Sequence, residues 1–294
     1  MKKIIAAAVA TAFVAPAFAA DVTISGEVEY TITNADGLNT FGNGTQDFTI
    51  TASEELANGL SVSAFLRNDT GGADQAGEAE VDSAVTISGG FGSLQIGKDA
   101  TQAGGAYDDK SDVASGGAAA DGEINDGVAA IGHVTFMPNT GIDGLDLAIG
   151  MSAGDATNEE VVSYAVQYSV GGIALAYGAT DTDLATDKTA TVLSASFASG
   201  PIYVGIDSQK NMGGVDGTDA IGVGVTYTMG NVTLEVERMS NKHASNVDTT
   251  DTVYGANYDV GSGLEVYIAA QTDEGGTSTR TSTDSTIVGV EYKF

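Results

Sequence analysis

The chain has 294 residues, 40 of them glycine, and sets 40 acidic against 11 basic side chains for a formal charge of −29. That balance excludes nucleic-acid binding, which requires a basic surface, while a hydrophobic content of 42% is too high for a disordered acidic chain. The absence of cysteine removes disulfide frameworks and thiolate metal sites together, and the charge suits a basic partner, divalent cations or a cation-preferring aqueous surface.

Lys2 and Lys3 precede a small-apolar run from Ile4 to Val14, and Ala17-Phe18-Ala19 then supplies the small residues of a cleavage site. This is the pattern of an export signal, with cleavage expected after Ala19, so that residues 1–19 form a signal peptide and 20–294 the mature chain. A short buried helix is the alternative reading. No later stretch approaches the roughly 20 apolar residues of a membrane-spanning helix. An exported chain without one is soluble, lipid-anchored or a barrel, and lipid anchoring uses a cysteine that is absent here.

From Val22 the pattern is strict alternation. Val22, Ile24, Val28, Tyr30 and Ile32 share one face, and Thr23, Ser25, Glu27, Glu29 and Thr31 the other. A period of two is a strand. It returns at Phe48–Ala52, Leu60–Leu66, Leu145–Met151, Val162–Tyr168, Ile173–Tyr177, Leu193–Phe197, Ile202–Ile206, Ile221–Met229, Val232–Val236, Tyr254–Val260, Leu264–Ala270 and Val288–Phe294. With weaker segments at 79–88, 93–98 and 131–137 the total is about sixteen, each long enough to cross a membrane at a tilt.

The connections alternate in length. Tight ones hold Asn58-Gly59, Gly89-Gly90, Asn139 to Gly144, Gly171-Gly172, Ser199 to Pro201, Gly230-Asn231 and Gly261 to Gly263, rich in residues that tolerate the positive φ of hairpin turns. Long polar ones are expected at 34–46, 68–78, 99–130, 154–160, 180–188, 208–218, 240–251 and 272–284. Long loops at one end and short turns at the other describe an all-β chain, a transmembrane antiparallel β-barrel. Its apolar rows face lipid and its Thr, Ser, Asp, Glu and Gly rows face water, because only a closed sheet leaves no unpaired edge in hydrocarbon. Sixteen strands enclose more width than side chains fill, so an aqueous lumen follows. Tyr30, Tyr177, Tyr258, Tyr267 and Tyr292 are candidates for interfacial aromatic girdles.

Signals for catalysis are weak. Gly150-Met151-Ser152-Ala153-Gly154 matches G-x-S-x-G, but the polar run GDATNEE follows where a nucleophile elbow needs a helix. His133 and His243 have no second histidine at metal-ligand spacing, and no G-G-x-G-x-D repeat marks a soluble calcium-binding β-roll. The chain is read as no enzyme, with no cofactor.

Four features carry a resemblance: ELANGLSVSAFLRN at Glu55–Asn68, GGFGSLQIGKDAT at Gly89–Thr101, the long loop directly after it, and the terminal VGVEYKF ending in Phe294. Together they resemble the general diffusion porins of Gram-negative bacteria, most of all the Rhodobacter-type porins of alphaproteobacteria. The resemblance covers the whole mature chain. It implies an outer-membrane homotrimer passing small hydrophilic solutes and ions, a terminal Phe294 acting as an assembly signal, and a long third loop folded into the lumen.

That loop, 99–130, far exceeds the usual two to six residues of a connection. Folded inward, its acids Asp108, Asp109, Asp112, Asp121, Glu123 and Asp126 would line the narrowest part of the pore and concentrate cations, an effect that fades as salt rises. The alternative is a solvated acidic surface loop. Related porins oppose such acids with a basic cluster on the wall. Here the candidates are Arg67, of inward parity, and Lys98, which points inward only if Gly97 breaks the alternation as a bulge. So sparse a basic set favours cation preference over a strong transverse field. Asp108, Asp109 and Asp112 are also a candidate Ca²⁺ site, since Ca²⁺ takes several oxygen ligands. A non-conducting structural or adhesive barrel and a soluble secreted β-protein are the rival readings.

Overall fold

The computed structural model describes residues 21–69, 80–97, 103–107, 110–114, 133–152, 160–182, 188–242, 248–275 and 283–294. Sixteen strands run in chain order. The first eight are β1 (Asp21–Ala35), β2 (Leu38–Glu55), β3 (Ser61–Asp69), β4 (Glu80–Gly89), β5 (Gly92–Gly97), β6 (His133–Pro138), β7 (Leu145–Ser152) and β8 (Val161–Val170). The second eight are β9 (Ile173–Thr182), β10 (Ala190–Ser199), β11 (Ile202–Lys210), β12 (Asp219–Met229), β13 (Val232–Lys242), β14 (Thr249–Gly261), β15 (Leu264–Gly275) and β16 (Thr283–Lys293). Each strand pairs antiparallel with its chain neighbours, and β1 pairs with β16, closing the barrel. Closure satisfies every edge, which hydrocarbon demands.

The alternation read from the sequence sets the two faces. Val22, Ile24, Leu66, Ile149, Met151, Leu193, Ile221, Tyr254, Ile268 and Val288 are all exposed on the outer surface, where lipid takes the place of a core. Among the described residues, the buried apolar groups are small and lie inside: Val253, Tyr267, Ala269 and Ile287, and the pair Ala190 and Val192. The weaker segments are strands too, as β4, β5 and β6.

Loop boundaries differ from expectation wherever polar residues continue a ladder. Residues 34–46 are no long loop: β1 and β2 stay paired up to Ala35 and Leu38 and turn at Asp36-Gly37, whose φ values of 52° and 78° are those of a two-residue type I′ hairpin. A bulge between Val28 and Tyr30 absorbs the extra length on β2. Likewise β13 reaches Lys242, β14 starts at Thr249 and β15 continues to Gly275, because backbone pairing does not need apolar side chains beyond the hydrocarbon. Tyr267 also departs from expectation. It faces inward at 4% exposure, in register with Gly289 of β16, where the missing side chain leaves room for its ring.

Candidate functional site in the barrel lumen

Inward positions of the strands carry Glu27, Glu29, Asp82, Asp207, Glu235, Glu237, Asp251, Asp273 and Glu291. Among the described strands the inward bases are Arg67 and Lys293, and both are matched by acids. Arg67 lies 3.2 Å from Asp82, its cross-strand partner. Lys293 contacts Glu291 and lies 3.6 Å from Glu27. Glu29 ties the closing seam from inside: it accepts the Tyr267 hydroxyl across β16 and the Thr45 backbone N–H at 3.1 Å. The wall is thus a field of carboxylates with its few cations locally neutralised.

Two stretches of the third loop are described, 103–107 and 110–114, and both lie against the inner wall. Ala103 is fully buried beside Gly150, Thr135 and Ser163. Gly104 sits on Gly178, the Lys110 carbonyl on Gly205, and Ser111 on Gly222 and Gly224. A Cβ at any of those four wall positions would overlap the loop, so glycines at inward positions of β9, β11 and β12 form the bed on which the loop backbone rests. Beyond them Ala114 packs on the cluster of Val253, Tyr267, Ala269 and Ile287.

Polar anchors fix the loop on that bed. Tyr203 donates its hydroxyl to the Lys110 carbonyl at 2.9 Å, and Ser111 donates its N–H to Asp207. Glu237 accepts the N–H groups of Val113 at 2.9 Å and Ala114 at 3.1 Å through one oxygen. Asp207 and Glu237 are each 1% exposed. Backbone amides are a fitting partner for buried carboxylates, because charge-assisted bonds offset the loss of water. Upstream, burial together with the nearby charge of Asp146 pushes the Tyr107 hydroxyl above the usual tyrosine range.

The described stretches of the loop lie against the side of the barrel that runs from β6 to β15. Inward residues of β7 to β14 are largely buried, whereas those of β1 and β2 are half-buried or exposed. Asp112 is exposed on the loop, and Arg67 is half-buried on the inward face of β3.

Of the residues singled out from sequence, Arg67 faces inward as expected and Asp112 lies on the inward loop. Asp108, Asp109, Asp121, Glu123, Asp126 and Lys98 lie outside the described residues, as do residues 1–19, read from sequence as a signal peptide. Among the described residues no group of three or more acidic or histidine side chains is placed to hold a metal ion. Ser152 closes β7 and faces inward opposite His133 of β6, yet its Oγ has no hydrogen-bond partner among the described residues. Phe294 exchanges both backbone hydrogen bonds with Gly26 at 3.0 Å, stacks on Tyr292 and covers Gly26. The chain end thereby completes the β1–β16 seam.

Asp207, Glu237, Tyr203 and the glycine bed were missed from sequence. Their signal is visible in retrospect: YVGID, IGVGVTY and AYGAT put glycine at inward positions of strands whose outward positions are bulky.

The model of the Gram-negative porin family matches residues 6–278. No curated protein sequence matches the chain closely enough to count as a relative. Among solved structures, a loop-deleted OmpT, an outer membrane protein of Vibrio cholerae, superposes with a TM-score of 0.73 at 17% identity over 94% of this chain and 100% of its own. The anion-selective porin of Comamonas acidovorans gives 0.70 at 16% over 94% and 100%. A triple mutant of the Rhodopseudomonas blastica porin gives 0.69 at 18% over 93% and 100%. Identities this low speak for the fold, while the family match spans nearly the whole chain. A closed sixteen-strand barrel with lipid-facing apolar rows and a polar lumen is what that family requires, and the chain belongs to the Gram-negative porins, channel proteins of the outer membrane.

Proposed function

We propose that this porin is a passive, cation-preferring diffusion channel for small hydrophilic solutes, with the third loop as its constriction and a homotrimer as its assembled form. The observation that carries the reading is the charge of the wall: carboxylates dominate the inward positions, and Arg67, the base opposite the loop, is paired with Asp82. In a narrow passage with low-dielectric walls such a field raises local cation concentration and repels anions. Asp108, Asp109, Asp121, Glu123 and Asp126 extend the same charge if the rest of the loop follows Asp112, and Lys98 offers too little to reverse it. The trimer form of OmpT from Vibrio cholerae, similar in fold at a TM-score of 0.70, supports the oligomeric reading. Phe294 in the closing seam supports its role as the assembly signal, after removal of residues 1–19.

The test is conductance across planar bilayers. Stepwise openings are expected, and replacing Asp108, Asp109 and Asp112 with Asn should weaken cation preference at low salt, where the Debye length is about 10 Å or more. Selectivity unchanged by all three replacements removes the loop from the mechanism, and a silent bilayer supports the structural or adhesive barrel instead.

A further inference from the structure

Of the 11 basic residues in the chain, three stand together on the outside of the barrel. Lys210 of β11, Asp219 of β12 and Lys242 of β13 are cross-strand partners in one row, on the outward parity of Ile206, Ile221 and Val236. The row lies at the long-loop end of these strands. Arg238 points outward on the same strand as Lys242, four residues nearer the turn end, beside Thr252 of β14. With partner Cα atoms about 5 Å apart and a rise of about 3.4 Å per residue, the three bases span a patch roughly 10 Å by 14 Å. All three are exposed.

None of the three is ion-paired among the described residues, Asp219 included. Elsewhere the outward positions at this rim carry acids, namely Asp181 of β9, Glu274 of β15 and Asp284 of β16. Among the described residues, this acidic chain therefore gathers unpaired cations at one place on its lipid-facing rim. Arg238 is level with Val223 and Ile206 in the apolar band, its guanidinium 3.5 Å from the Thr252 hydroxyl, and its long stem lets the charge reach from there toward the polar layer. There it meets the headgroups of the leaflet from which the long loops project.

We propose that Lys210, Arg238 and Lys242 form a docking surface for a phosphate-bearing lipid headgroup of the loop-side leaflet. Phosphate is the matching chemistry because a guanidinium grips it through two parallel N–H bonds and lysines supply the second and third charges. Cations at a membrane surface add affinity for anionic lipid one by one. The hydroxyls of Ser240 and Thr250, hydrogen-bonded to each other between Arg238 and Lys242, keep the intervening surface polar. Asp219 between the lysines weakens the field and sets its sign for a test.

The full protein in non-ionic detergent is titrated with lipid A, a bis-phosphorylated glycolipid, and separately with its dephosphorylated form and with inorganic phosphate, occupancy being read by native mass spectrometry. Lipid A is expected to bind well ahead of the dephosphorylated form. Each of Lys210→Gln, Arg238→Gln and Lys242→Gln should weaken it about fivefold, and the triple variant roughly a hundredfold. Lys110→Gln, a base of the loop on the lumen side of the wall, should change nothing, and Asp219→Asn, which leaves all three bases in place, should tighten binding. Equal binding of the dephosphorylated form, displacement by equimolar inorganic phosphate, or wild-type affinity in the triple variant overturns the proposal. Should the triple variant not fold, an unaltered affinity in Asp219→Asn overturns it equally.

Discussion

Replacing Glu237 with Ala removes the acceptor of two loop amides, those of Val113 and Ala114. Hydrogen bonds to a charged group are worth about 1.5–3 kcal/mol each, and water in the lumen recovers part of that, so the seated loop loses on the order of 2–3 kcal/mol. That is roughly a thirtyfold to hundred-and-fiftyfold rise in the unseated population. Asp112 adjoins Val113 on the same loop stretch and moves with it, so the charge presented to the lumen changes too. The assay is single-channel recording in planar bilayers: Glu237→Ala should show excess open-channel noise and new conductance levels, and Glu237→Gln, which keeps one acceptor oxygen, a smaller effect. Adding Asp207→Asn, which weakens the Ser111 anchor, should enlarge it. A correctly folded Glu237→Ala channel with wild-type conductance and noise refutes the idea that this carboxylate holds the loop.

The glycine bed makes a steric counterpart. Gly224→Val places a branched side chain where the Ser111 backbone lies, and overpacking of about 1–3 kcal/mol should unseat the loop while leaving the barrel intact, seen as altered conductance with unchanged thermal dissociation. Tyr267→Phe deletes the bond to Glu29 across the closing seam and should cost about 1–2 kcal/mol of barrel stability, read as a lower unfolding midpoint in denaturant; an unshifted midpoint contradicts the seam role. Burial and the Asp146 charge raise the Tyr107 hydroxyl above its ordinary value. The unfolded chain therefore releases that proton first, and the loop loses stability as pH rises past about 10. Difference titration of wild type against Tyr107→Phe in ultraviolet absorbance should place this hydroxyl above the exposed tyrosines. Removing Phe294, whose backbone bonds join the chain end to Gly26, should lower the yield of outer-membrane protein several-fold by fractionation, and an unchanged yield argues against an assembly signal.

Alternation made most of the barrel legible, since Val22 to Ile32 and Val288 to Phe294 state their faces one residue at a time. Strand ends were less legible. Beyond the hydrocarbon, polar residues such as Thr249 to Thr252 pair as readily as apolar ones, and a period-two hydropathy signal is silent there. Tyr267 misled because an aromatic at a strand end suits an interface, while its seat over Gly289 depends on a partner strand whose register periodicity does not reveal. The site divides in the same way. Arg67 was found by parity alone, but its pairing with Asp82 needed the register of β3 and β4. Asp207 and Glu237 looked like ordinary inward acids, because what distinguishes them is a loop nearly a hundred residues or more away in sequence.

The central claim is the sign of the field in the lumen, and the zero-current potential of reconstituted channels across a potassium chloride gradient reads it directly. An acidic passage predicts a potential displaced toward that of potassium, shrinking toward zero as both solutions are raised to about 1 M, where the Debye length falls to about 3 Å. A potential displaced toward that of chloride would contradict the account, whatever the size of the conductance steps.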